Sequence, residues 1–210
     1  MKGLIIKDFL GMKGFFRIFI IIIAICVIPV IVSQQGEFSG GFASGICTFI
    51  GGMMCFTSFA YDKAYGWDTY VLTLPYTRKQ IVLSKYLFSL LITGIGAGIG
   101  LIVNLILTAT GLAHMDADTW TIIGLLGCMV LLFNSVTIPL MFRFDPEKTR
   151  VIVIVIFLVP FMLLALLGGG DPNRMMDTIQ AVMTALPVVS IAALVVSWFV
   201  AAKVYETKEV

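Results

Sequence analysis

Residues 86–112 read Tyr86-Leu-Phe-Ser-Leu-Leu-Ile-Thr-Gly-Ile-Gly-Ala-Gly-Ile-Gly-Leu-Ile-Val-Asn-Leu-Ile-Leu-Thr-Ala-Thr-Gly-Leu112 without one charged side chain. About 20 such residues, rising 1.5 Å each, cross the roughly 30 Å of hydrocarbon in a bilayer. The stretch is continuously apolar and does not alternate, which excludes a strand of a closed barrel. Lipid offers no partner to an exposed peptide group, so a helix is the conformation that satisfies this backbone within its own segment.

The same reading extends outward. Spans are expected at about 18–33, 40–60, 86–112, 121–142, 151–167 and 179–202, which makes the chain an all-α membrane protein with six transmembrane helices. Pro29 and Pro160 are expected to kink the two shortest spans without ending them. Val151-Ile-Val-Ile-Val-Ile156 has the composition of a buried strand but opens the fifth span, where a lone strand would leave its edges unpaired. Composition agrees: 60% of the 210 residues are hydrophobic and 12% charged, against about 45–50% and 25% in soluble domains. A soluble or disordered chain is thereby excluded, and a net charge of +2 offers little phosphate neutralisation for nucleic acid. Cys26, Cys47, Cys55 and Cys128 fall in apolar segments and imply no disulfide framework.

Basic residues set the orientation, because they are retained on the cytoplasmic side. Lys2, Lys7, Lys13 and Arg17 precede the first span; Lys63, Arg78, Lys79 and Lys85 separate the second from the third; Arg143, Lys148 and Arg150 separate the fourth from the fifth; Lys203 and Lys208 follow the sixth. Arg174 alone falls on the other side, so both termini are expected in the cytoplasm. The start is not a cleaved leader, since the first apolar run ends in Val32-Ser-Gln-Gln35 with no small-x-small site. Residues 1–17 set Lys2, Lys7 and Lys13 among Leu4, Ile5, Phe9, Leu10, Phe15 and Phe16, a pattern suited to a helix in the inner headgroup layer.

Catalytic equipment is missing. The single histidine, His114, stands in an outer loop with Asp116 and Asp118, too isolated for a zinc site or a Ser/His pair. No G-x-x-x-x-G-K-[ST] loop occurs, so no nucleotide is held by the usual phosphate cradle. No Asp, Glu, Lys or Arg stands in the middle of a span, which disfavours ion-coupled carriers and proton pumps.

Small and weakly polar residues mark the helix surfaces. Gly41, Ser44, Gly45, Thr48, Gly52 and Cys55 form one stripe on the second span; Gly94 with Gly98 and Gly96 with Gly100 form two small-x-x-x-small pairs on opposite sides of the third. Asn104 and Asn134 are the strongest polar groups within the spans, Asn134 being assigned to one face with Gly124, Gly127 and Cys128. Helix packing and a translocation path both fit these residues, with interhelical hydrogen bonding the favoured use of the asparagines.

The loop 61–85 is aromatic for a solvated link. Thr77 and Gln80 form a capping-box pattern that starts a helix at Arg78; unbroken to Leu112 it would be about 50 Å long and exceed the hydrocarbon. Before it, residues 67–74 fit a short helix ended by Pro75, presenting Trp67, Tyr70, Val71 and Leu74 as an apolar surface. Residues alone leave two uses open: a seat on a protein partner or an aromatic belt at the headgroups.

Three segments carry a resemblance: Met1-Lys-Gly-Leu-Ile-Ile-Lys-Asp-Phe9, Tyr61-Asp-x-x-x-Gly-Trp-Asp68 with Leu74-Pro-x-Thr-Arg-Lys-Gln-Ile-Val-Leu-Ser-Lys-Tyr86, and Phe142-Arg-Phe-Asp-Pro-Glu-Lys-x-Arg150. Together they resemble the small membrane subunits of bacterial type 2 ABC exporters, across essentially the whole chain. Many relatives read Phe-Gly where this chain has Phe144-Asp145-Pro146. The resemblance implies a six-span half-transporter with an N-terminal interfacial helix, paired as a homodimer or heterodimer with a second membrane subunit. It also implies a separate ATP-binding subunit, which would carry ATP and Mg; this chain itself would hold no cofactor or metal. In that frame Trp67, Asp68, Tyr70, Val71, Leu74 and Arg78 belong to a coupling helix seated on the ATPase, and Arg143, Glu147 and Lys148 to a second contact. The substrate would be a peptide or hydrophobic compound. Two alternatives stand beside it: a substrate-binding subunit of a vitamin importer, and a membrane sensor or immunity protein that transports nothing.

Overall fold

The computed structural model describes residues 2–14, 17, 18, 20–22, 24, 25, 36–111, 117–167 and 172–207. Seven α-helices are described in full: α1 (Lys2–Gly11), α2 (Gly36–Ala64), α3 (Trp67–Tyr70), α4 (Arg78–Ala109), α5 (Ala117–Arg143), α6 (Pro146–Leu167) and α7 (Pro172–Thr207). A 3-10 turn, Val71–Thr73, follows α3. No strand occurs among the described residues, and Val151–Ile156 is helical.

Among the described residues, four helical segments are long and apolar enough to cross a membrane: Ser44–Ala64, Arg78–Ala109, Thr119–Arg143 and Met183–Thr207. They carry the second, third, fourth and sixth expected spans. The fifth, 151–167, lies within α6, which continues through Pro160. The first, 18–33, and Pro29 fall largely outside the described residues. Boundaries differ from expectation at both ends of α2, which starts four residues early and continues through Tyr61, Asp62 and Lys63. The linking segment is correspondingly shorter than 61–85. At its far end Thr77 accepts from the Gln80 amide and Gln80 Oε1 accepts from the Thr77 amide at 3.2 Å, the reciprocal cap expected from the sequence. The 32 residues of α4 then run unbroken to Ala109.

The bundle is assembled on α2. Toward α4, backbones meet at the small residues: a Cβ on Gly96 would lie 2.9 Å from the Cys47 carbonyl oxygen, and one on Gly100 would lie 2.6 Å from that of Ser44. Ser44 Oγ donates to the Gly100 carbonyl at 2.9 Å and receives Asn104 Nδ2 at 3.3 Å. Toward α5, Gly41, Gly45 and Gly52 accommodate Ile122, Leu126 and Val130, and Asn134 Nδ2 donates to the Gly52 carbonyl at 3.3 Å. Thr48, fully buried, turns its hydroxyl to the Ser44 carbonyl. Every described member of the α2 stripe is therefore occupied by helix contacts within the chain.

A Cβ on Gly94 or Gly98 would meet nothing within 4 Å among the described residues, so the close approach of α4 to α2 is made on the Gly96 and Gly100 side. A Cβ on Gly124 or Gly127 would likewise meet nothing within 4 Å among the described residues. At about 100° per residue Gly124 lies about 80° around the helix from Asn134, whereas Gly127, seven residues before it, lies about 20° away.

Candidate functional site

At the end of the bundle that gathers the basic residues, α1, the last turn of α2 and the foot of α4 converge. Along α1 and the turn after it, Leu4, Asp8 and Met12 recur at four-residue spacing and are buried against the bundle, while Ile6 and Leu10 face outward. Phe9 meets Phe88 of α4 edge to face at 5.2 Å. This stacking places an Asp and its neighbour Lys7 where α2 and α4 come closest to the N-terminal helix.

Lys85 Nζ reaches three groups on α1 and α2: Asp8 Oδ1 at 2.9 Å, Asp62 Oδ2 at 2.6 Å and Ser58 Oγ at 3.0 Å. Lys7 Nζ completes the ring at 2.8 Å from Asp8 and 2.5 Å from Asp62. Two cations face two anions, so the cluster is neutral. Lys85 is 5% and Asp8 3% exposed. Desolvation of an isolated charge costs several kcal/mol, and only a closed arrangement with its donors and acceptors used offsets it. Aromatic rings cover the remaining sides, with Phe59 4.8 Å from the Lys85 ammonium and Trp67 4.2 Å from that of Lys7.

The Trp67 contact ties the short helix to this cluster. α2 gives way to a turn at Gly66, whose φ of 65° is left-handed and costs a residue without Cβ nothing; its amide bonds the Lys63 carbonyl at 3.2 Å. The chain then turns directly into α3, and Thr69 Oγ1 donates back to the Gly66 carbonyl at 2.9 Å. Val71 is 1% exposed and belongs to the hydrophobic core with Phe59, Ile81 and Phe142. It anchors the segment instead of lying on an offered surface, a correction to the expectation for residues 67–74. Trp67 and Leu74 are half-buried against the same core. Tyr70 stands out, 57% exposed, with its ring 5.3 Å from that of Trp67; Tyr65, stacked on Tyr61, is 80% exposed. Asp68 lies in α3, its side chain outside the described residues.

The other expected contact residues divide. Arg78 Nη1 donates to the carbonyls of Tyr205 and Glu206 at 2.8 Å, which commits it to the end of α7. Arg143, Glu147 and Lys148 are exposed. Asp145, standing before Pro146 at the start of α6, gives its carbonyl to the Thr149 amide at 2.9 Å and its carboxylate to Lys63 at 3.0 Å, joining the end of α2 to the α5–α6 turn.

The ring of Lys7, Asp8, Asp62 and Lys85 is not among the sites expected from the sequence, where Lys7 and Lys85 serve as orienting charges and Asp62 falls in a loop. The available signal is an acid next to a base at both Lys7-Asp8 and Asp62-Lys63, each within an apolar, Phe-containing neighbourhood. No group of three or more His, Cys, Asp or Glu side chains able to hold a metal occurs among the described residues. The arrangement offers mechanical connection: whatever displaces α3 acts on Lys7 through Trp67, and so on α1, α2 and α4 together.

A bundle of long apolar helices on a basic, interlocked end defines a multi-pass membrane protein. Residues 3–206 match the family model described as ABC-2 family transporter protein, and the chain belongs to that family as a membrane permease subunit. No curated protein and no solved structure matches the chain. Membership implies, in general terms, an ATP-binding partner and a membrane subunit that is not itself the catalyst.

Proposed function

We propose that the chain is the membrane-spanning half of an ATP-driven exporter in the bacterial inner membrane, working as a dimer with both termini in the cytoplasm. Its α3 segment seats on a separate ATP-binding subunit that carries ATP and Mg. Exposed Arg143, Glu147 and Lys148 supply the second contact. An uncharged set of spans suits a peptide or hydrophobic compound as substrate.

The observation that carries the reading is the position of Tyr70. An aromatic side chain 57% exposed at the tip of the linking segment sits one ring contact from Trp67, which in turn covers the Lys7 ammonium. Large exposed aromatics are favoured anchors in protein interfaces. A displacement received there reaches three helices through a ring of charges in which Lys85 and Asp8 are buried.

The test is recovery of the ATP-binding subunit with the purified membrane subunit. Tyr70→Ala removes mainly exposed surface and one ring contact with Trp67, so thermal unfolding should change little while recovery falls about tenfold, the loss of one anchor of roughly 1–2 kcal/mol. Full recovery with Tyr70→Ala would refute the seat. Trp67→Ala and Leu74→Ala are poorer probes, since both side chains also pack inward.

A further inference from the structure

Helix α6 contacts only α2 and α5 among the described residues. Between these three helices a lateral groove of about 620 Å³ remains open. Met53 and Phe56 of α2 and Phe133 of α5 form one wall; Arg150, Ile154 and Leu158 of α6 form the other. The last three recur every four residues, so they share one face and cover about 12 Å of helix axis from the guanidinium inward.

The lining is apolar except at one end. Arg150 is exposed, lies in the second turn of α6, and makes no ion pair or hydrogen bond with any described residue, although Glu147 stands three positions before it. This differs from Lys7, Lys63, Lys79 and Lys85, each of which has a carboxylate partner. A groove of this size falls within the range that holds a small-molecule ligand. Its chemistry is that of an amphiphile: an apolar stem along Ile154 and Leu158 and an anionic head on Arg150.

We propose that this groove is a binding site for one anionic phospholipid, its acyl chain against Met53, Phe56 and Phe133 and its phosphate on Arg150. Basic pockets between membrane helices on the cytoplasmic side recognise anionic headgroups, and the inner leaflet supplies them. Charge complementarity selects this occupant over a neutral lipid, because the cation at the mouth otherwise has no counter-charge among the described residues. The site is separate from the α3 seat and keeps α6 on the bundle by bridging a gap that side chains leave unfilled. It rests on the proposed orientation, which places Arg150 at the inner leaflet.

The experiment titrates the full chain in a non-ionic detergent with dioleoyl phosphatidylglycerol or dioleoyl phosphatidylcholine and counts bound lipid by native mass spectrometry. The first bound phosphatidylglycerol should hold at least about fivefold more tightly than phosphatidylcholine, the factor matching roughly 1 kcal/mol for one basic residue. Arg150→Gln should remove that factor, Arg150→Lys should keep most of it, and Lys148→Gln should leave it intact. Ile154→Trp, which fills the groove from an exposed position, should lower binding of both lipids. Equal affinities in the unaltered chain, or a preference that survives Arg150→Gln, overturns the site. A reporter at position 147 that faces outward would overturn the orientation instead, while the lipid preference itself could still be read.

Discussion

Arg78 Nη1 donates to the main-chain carbonyls of both Tyr205 and Glu206 at 2.8 Å, so the first residue of α4 closes the last turn of α7. The final carbonyls of a helix have no partners within it, and a cation there also meets the negative end of the helix dipole. A side chain expected to face another subunit is instead used to hold two distant parts of this chain together.

Arg78→Ala should therefore fray α7. Loss of hydrogen bonds from a charged donor costs about 1.5–3 kcal/mol, lowering the unfolding temperature, and limited proteolysis should remove residues beyond Ala202 sooner. Arg78→Lys, with one donor head in place of a fork, should recover only part of the loss. Unchanged protease resistance in Arg78→Ala would show that the cap contributes little.

Lys85→Met removes the centre of the charged ring and leaves Asp8 and Asp62 sharing Lys7. Breaking a buried pair costs about 3–5 kcal/mol, because the remaining charge is stranded. Thermal unfolding in detergent should show that loss, and the double change Lys85→Met with Asp62→Asn should be less severe than the two single effects summed. Strict additivity in that cycle would mean the two side chains are not coupled.

The two glycine pairs on α4 should behave oppositely. Gly100→Leu places a side chain 2.6 Å from the Ser44 carbonyl oxygen and must push α2 and α4 apart, so correctly folded protein should be scarce. Gly98→Leu meets open space and should leave the yield of folded chain unchanged. If chains pair through the Gly94 and Gly98 face, Gly98→Leu should lower self-association in a crosslinking assay; pairing through another surface leaves it untouched.

Topology is checked by cysteine or glycosylation reporters. Reporters near Glu37, Asp116 and Asp171 should be accessible from outside, and ones near Lys63 and Glu147 should not. The reverse pattern would overturn the count of basic residues as a guide to orientation in this chain.

The parts of the fold legible in the sequence are those governed by one segment at a time. The continuous apolarity of residues 86–112 and the Thr77 and Gln80 cap depend on local rules, and α4 begins where they place it. The end of α2 is not legible in the same way, because Asp62 and Lys63 look like loop residues until Lys85 and Asp145 are brought to them from elsewhere. The glycine pairs are equivalent in spacing, and only the neighbour chosen by tertiary packing separates Gly96 and Gly100 from Gly94 and Gly98. Tyr70 and Val71 are adjacent and both apolar enough for an interface; whether each points to core or solvent depends on the 3-10 turn after α3, which no motif announces.

The charged ring also imposes an order on biosynthesis. Asp8 leaves the ribosome 77 residues ahead of Lys85, a lag of about 4–15 s at ordinary translation speeds. Throughout that interval Lys7 is the one cation of the ring available to Asp8. The ring closes only when α4 delivers Lys85, so Lys7 and Asp8 are made well before the partner that completes it.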